Sequence, residues 1–147
     1  MEATEPLLRS VLDDAASDLR ERPTAAEWSV MELIGHLADA EMVMSARYRW
    51  TLSQDRPSLL GYDQDLWVAR LRHNDGQADD LLAVFSALRA ANLQLWRRSS
   101  ADDRQRVAMH AERGPESYEL MFRMLAGHDR FHLSQMRDTL RQLRAGR

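Results

Sequence analysis

Apolar residues recur along this chain at helical spacing, in four separate blocks. Leu7, Leu8, Val11, Leu12, Ala15 and Leu19 form one stripe and predict a first helix from about Glu5 to Leu19. The segment RERPTAAEW breaks it, with Pro23 as the stop. In WSVMEL, Ser29 is placed to cap and Glu32, three residues on, completes a capping box, with Trp28 and Leu33 as the hydrophobic staple. Val30, Leu33, Ile34, Leu37, Met44 and Tyr48 then carry a second helix to about Thr51–Ser53. A loop, SQDRPSLLGYDQD, leads to a short helix near Leu66–Leu71 and a break at HNDG. Leu81, Leu82, Phe85, Leu88 and Leu95 define a third long helix over about Gln77–Arg97. SSADDRQRVAMHAERG reads as polar and turn-rich. GPESYEL opens the fourth long helix, with Pro115 in its first turn, and that helix runs to about Leu143.

No segment sustains period-two alternation, so the pattern predicts an all-α four-helix bundle with a long connection between the second and third long helices. The 147 residues suit one domain, large enough to bury a core without a disulfide or structural metal. There is no cysteine, which removes thiolate ligands and a protein thiol nucleophile. All 20 basic residues are arginine, which excludes a Schiff-base lysine and leaves arginine for anion contacts. A net charge of -3 argues against a nucleic-acid partner. The acidic start MEATEPLLRS is unlike a signal peptide, and no run approaches a membrane span, so a cytoplasmic protein is expected.

The chemistry concentrates in GHDRFHLSQM. His128 and His132 stand four apart within the fourth helix's apolar stripe of Tyr118, Met121, Leu125 and Met136. Neighbours at that spacing have Cβ atoms about 5–6 Å apart, so two imidazoles can converge on one ion. They can equally be two buried rings that need other partners. A third histidine, His36, lies on the flank of the second helix with Ala40, Val43 and Arg47, where a facing helix can meet it.

EWSVMELIGHLADAE, LRAANLQLW and AGHDRFHLSQMRDTL together resemble the DinB-like (DinB/YfiT-like) superfamily of metalloenzymes, over roughly Pro6 to Leu140. The matching positions are Trp28, Ser29, His36, His128 and His132. The resemblance implies a four-helix bundle with a three-histidine metal centre, and a homodimer.

Three neutral histidines would leave the ion's charge uncompensated and at least one coordination position open, the pattern of catalytic sites. Zinc or nickel suits imidazole, with iron or manganese as the alternatives. Glu41 lies in the second helix's apolar stripe and is a candidate for orienting a histidine by receiving its N–H; pairing with an arginine and bending to solvent are the alternatives. Arg47 and Arg89 are candidates for an anionic group of a small-molecule substrate or thiol cofactor. His73 and His110, in turn-rich segments, read as solvated, and Trp50, Trp67 and Trp96 as core or pocket mouth. Characterised relatives include thiol-dependent transferases and isomerases. The family resemblance therefore implies a low-molecular-weight-thiol S-transferase using bacillithiol or mycothiol. A metal-dependent hydrolase and a non-catalytic metal-binding or stress-associated protein are the alternatives. HDRFH is close to the H-E-x-x-H protease motif, with Asp129 for glutamate, but such a site works beside a strand, and none is evident. No glutamate stands three residues before any histidine, as di-iron bundles require.

Overall fold

A computed structural model describes residues 1–147, the side chain of Ala16 excepted. Four long helices carry the fold: α1 (Thr4–Ala15), α2 (Val30–Ser53), α4 (Ala78–Arg98) and α6 (Tyr118–Ala145). Two short helices, α3 (Gln64–Leu71) and α5 (Ala101–Gln105), fill the connections. The first helix stops earlier than its apolar stripe, because the chain tightens into a 3-10 turn over Ala16–Asp18. The start of α2 follows its sequence signal. Ser29 Oγ accepts from the Glu32 N–H at 3.1 Å, and the Glu32 carboxylate accepts from the Ser29 N–H at 2.9 Å. At the other end, Arg106 donates to the carbonyls of Thr51 and Gln54, closing the last turn.

The expectation of no strands is corrected. Three short strands, β1 (Ser58–Leu59), β2 (Val107–His110) and β3 (Gly114–Ser117), form one sheet in that order. β1 pairs parallel with β2, and β2 pairs antiparallel with β3. Pro115 therefore lies in a strand, not in the first turn of a helix. It is tolerated because β3 is an edge, where a missing N–H leaves no ladder bond unmade. Gly114 closes the hairpin with φ 79°, the left-handed conformation such a three-residue loop needs. Ser117 then caps α6 by accepting from the Leu120 N–H at 3.1 Å.

The bundle core has two apolar clusters. One joins Leu8 and Val11 of α1, Leu33, Ile34 and Leu37 of α2, Leu82 and Phe85 of α4, and Leu133, Met136 and Leu140 of α6. The other joins Tyr48, Leu59, Ala108, Tyr118, Met121 and Leu125, with Trp96 and Phe122 against it. Between them, at the waist of the bundle, every central helix places polar groups: Glu41 on α2, Arg89 and Asn92 on α4, and His128, Asp129 and His132 on α6. Among the described residues, no helix is long and apolar enough to cross a membrane.

Candidate metal centre

α2 packs against α6, and that contact brings His36 beside His128 and His132. One ring nitrogen from each lies within 4.8 Å of the others, and His36 Nε2 sits 2.9 Å from His128 Nε2. An ion at 2.0–2.2 Å from three nitrogens needs them about 3–4 Å apart, so the three rings fit one ion with small adjustment. His132 Nδ1 lies 2.8 Å from the Gln135 amide oxygen. An amide oxygen only accepts, so Nδ1 carries the proton and Nε2 keeps its lone pair for the centre. The Trp28 ring covers the site, 5.1 Å from the His36 ring and 6.4 Å from that of His132.

The electrostatics favour neutral rings. Burial, then the charges of His128 and His132, push the His36 pKa down to about 3. Burial and His132 push His128 down to about 4, and burial lowers His132 against an opposing bond from Gln135. Deprotonated imidazoles are the form a cation requires. His128 Nδ1 is buried without a hydrogen-bond partner.

The polar belt behind the triad is a closed network. Arg89 is 4% exposed, and its Nε and Nη2 donate to Glu41 Oε2 at 2.9 and 2.7 Å. Nη1 and Nη2 donate to the two Asp129 oxygens at 2.7 and 3.0 Å, and Nη1 also reaches the Met1 carbonyl and Thr4 Oγ1. Glu41 Oε1 accepts from Asn92 at 2.8 Å. Of the outcomes open for Glu41, the structure shows pairing with an arginine. Arg89 has no N–H left for a substrate and is a scaffold residue. Asp129, adjacent to a candidate ligand, faces this network, so it is not placed as the general base of an H-E-x-x-H protease. That geometry, rather than a lack of strands, disfavours the protease reading.

Two histidines expected to be solvated are buried. His73 Nε2 is 2.8 Å from Asp39 Oδ2, under α2. His110 closes β2 and faces a cavity of about 410 Å³. Arg47, Tyr62, Arg113, Glu116 and His128 also line that cavity, so it opens on the triad. Arg113 pairs with Glu116. Arg47 is 5% exposed and donates to the Leu60 carbonyl, yet no carboxylate among the described residues comes within 4.0 Å of it. A second, apolar groove shares Val43, Arg47, Gly61 and Tyr62 with this cavity and adds Trp50 and Trp67. Sequence reading missed Trp28 and Gln135 as partners of the triad. Gln135 stands one turn beyond His132, a position where a polar side chain can reach back to the ring.

Comparison with known proteins agrees with this architecture. The sequence profile of the DinB superfamily matches residues 1–136. A protein of Oceanobacillus iheyensis, provisionally named a metal-dependent hydrolase, is 27% identical over 130 residues, 88% of this chain and 75% of its own length. A Bacillus cereus protein of the same provisional name is 22% identical over 116 residues, 79% of this chain and 66% of its own. Among solved structures, YfiT from Bacillus subtilis is described as a probable metal-dependent hydrolase with an unusual four-helix bundle topology. It superposes with a TM-score of 0.89 at 19% identity, over 97% of this chain and 82% of that one. The mycothiol-dependent maleylpyruvate isomerase superposes at 0.66 and 14% identity, over 92% and 60%. Both likenesses speak to the fold, and with nearly the whole sequence matched by the family profile, this chain belongs to the DinB superfamily.

Proposed function

We propose that the chain is a metal-dependent hydrolase of a small molecule, with His36, His128 and His132 as its metal ligands. One observation carries this reading: His128 belongs both to the triad and to the wall of the 410 Å³ cavity, so the centre faces a space of ligand size. The provisional names of the relatives support it. A divalent ion, zinc or nickel by the chemistry of the donors, would polarise a substrate oxygen and lower the pKa of a water on its open position. The chain's own residues do the rest. Burial keeps the three imidazoles neutral, Gln135 holds His132 in the correct tautomer, and Trp28 closes one side of the centre against water. The Arg89 network fixes α6 against α2 and α4 beside them.

The test is metal analysis of the purified protein, followed by ester, amide and lactone hydrolysis with and without chelator. Stoichiometric metal and chelator-sensitive turnover are expected. Metal without turnover on any substrate would leave a non-catalytic metal-binding protein.

A second reading puts the thiolate of an external cofactor, bacillithiol or mycothiol, at the open position, in the manner of an S-transferase. The fold shared with a mycothiol-dependent enzyme supports it. The chain has no cysteine, so on this reading the sulfur nucleophile comes from outside. Titrating the cobalt-substituted protein with each thiol tests it: a sulfur-to-metal charge-transfer band supports the transferase, and no band with any thiol, together with no transferase activity on electrophiles, rejects it. On either reading the partner is a small molecule, not nucleic acid.

A further inference from the structure

His110 is held in one tautomer by the backbone. The N–H groups of Glu112 and Arg113 both point at its Nδ1, at 3.2 and 3.4 Å. Nδ1 is therefore the acceptor, and the proton sits on Nε2. Nε2 in turn lies 3.3 Å from Arg47 Nη2. Both atoms are donors, so they cannot satisfy each other. An acceptor oxygen between them would accept from both.

Arg47 has the same deficit in charge. The other buried arginine of the waist, Arg89, is matched by two carboxylates, and Arg113 by Glu116. Arg47 is buried, and its direct contacts are a carbonyl, a thioether and the donor face of His110, while Glu116 and Glu112 act on it only from beyond ion-pair distance. A buried charge without a counter-ion is costly unless a ligand supplies one. Formal charges in the wall balance, Arg47 and Arg113 against Glu112 and Glu116. Glu112, however, is exposed to solvent and packs against Gly61, and Glu116 is paired with Arg113, so both offset the Arg47 guanidinium only at a distance and neither pairs with it directly.

We propose that Arg47 and His110 form an anion subsite that holds a carboxylate or phosphate group of the substrate. The inference rests on the reading of this cavity as the substrate site. Because Arg47 also lines the apolar groove of Trp50 and Trp67, the anionic group would sit at the junction of the two spaces. One arm of the substrate then reaches the triad, and an apolar arm lies toward the tryptophans.

The experiment titrates metal-loaded and metal-stripped protein with benzoate and with inorganic phosphate, by calorimetry and thermal shift. One of the two anions should bind and raise the melting temperature of both forms, and which one it is identifies the group. Arg47→Met and His110→Gln should each weaken that binding about tenfold or more, corresponding to one lost charge-assisted contact. Glu112→Gln should leave it equal or tighter. If Arg47→Met does not fold, His110→Gln and Arg47→Lys carry the test, the lysine keeping the charge but losing the planar fork that holds two oxygens at once. Absence of binding to the parent protein, or equal affinity in these variants, overturns the subsite. Anion binding to the metal-stripped protein with no hydrolysis in the loaded form would overturn the hydrolase reading and keep the subsite. Hydrolysis of an anionic substrate with KM unchanged in His110→Gln would do the reverse.

Discussion

The ring of His73 occupies the space where a side chain at position 35 would begin. A Cβ on Gly35 would lie 2.2 Å from His73 Cγ and 2.4 Å from Cδ2. The glycine lets the turn at His73–Asp75 press directly on α2, one residue before His36, while Asp39 one turn further on binds the ring. Gly35→Ala must displace the ring or the turn and should lower stability by about 1–3 kcal/mol, the usual cost of overpacking. Adding His73→Ala should cost less than the sum of the single changes, because the clash is then gone. Denaturant midpoints measure both, and strict additivity would contradict the contact.

The metal centre should weaken in graded fashion. His36→Ala, His128→Ala and His132→Ala should each abolish stoichiometric metal. Gln135→Ala keeps all three ligands but frees the His132 ring, and should lower affinity by about 10–100-fold. Competition against a chromophoric chelator reads this difference. Full retention by His132→Ala would remove the proposed centre.

Chelated protein should remain folded, because the two apolar clusters do not include the triad. Its helical circular dichroism should persist at room temperature, with the ion adding to the melting temperature by mass action. The pH dependence of this metal-free form follows from the buried histidines. Their folded pKa values, about 3 for His36 and about 4 for His128, lie below the unfolded value near 6.5. Between those values the unfolded chain binds more protons, so stability is complete above pH ~6.5 and is lost as pH falls. The slope reaches about 1.4 kcal/mol per pH unit for each histidine. Urea midpoints of the chelated protein at several pH values check the sign. A rise in stability on acidification would contradict it.

Arg89→Ala would strand Glu41 and Asp129 in the interior. A loss of about 3–5 kcal/mol is expected, as for other broken buried ion pairs. Replacing all three charges together, Arg89→Met with Glu41→Gln and Asp129→Asn, should recover much of it. Thermal unfolding of the two proteins makes the comparison, and equal stabilities would show that the stranded carboxylates are not what costs the single variant its stability.

The long helices were legible because their signals are local. The capping box at Ser29 and the recurrence of Leu33, Ile34 and Leu37 are set by residues within a turn or two of each other. The convergence of His36 with His128 was partly legible, since the spacing on α6 and the flank of α2 both show in the sequence. The strands were not. Two- and four-residue strands are too short to display alternation, and a proline such as Pro115 is compatible with a first helical turn as well as with a sheet edge. His73 and His110 were misread for a related reason: their burial comes from α2 and from Arg47, far away in sequence, and turn-rich surroundings carry no trace of that.

The parallel pairing of β1 with β2 divides labour within the molecule. It ties the chain leaving α2 to the chain entering α6, so the two helices that carry the histidines are braced to each other outside the bundle as well as inside it. The cavity wall opposite the helices comes largely from segments beside that brace, at Gly61, Tyr62, Gln64, Glu112 and Arg113. Those positions can be exchanged without moving a ligand of the centre. On the proposed reading, changes at this rim would alter which substrate fits while leaving the three histidines in place.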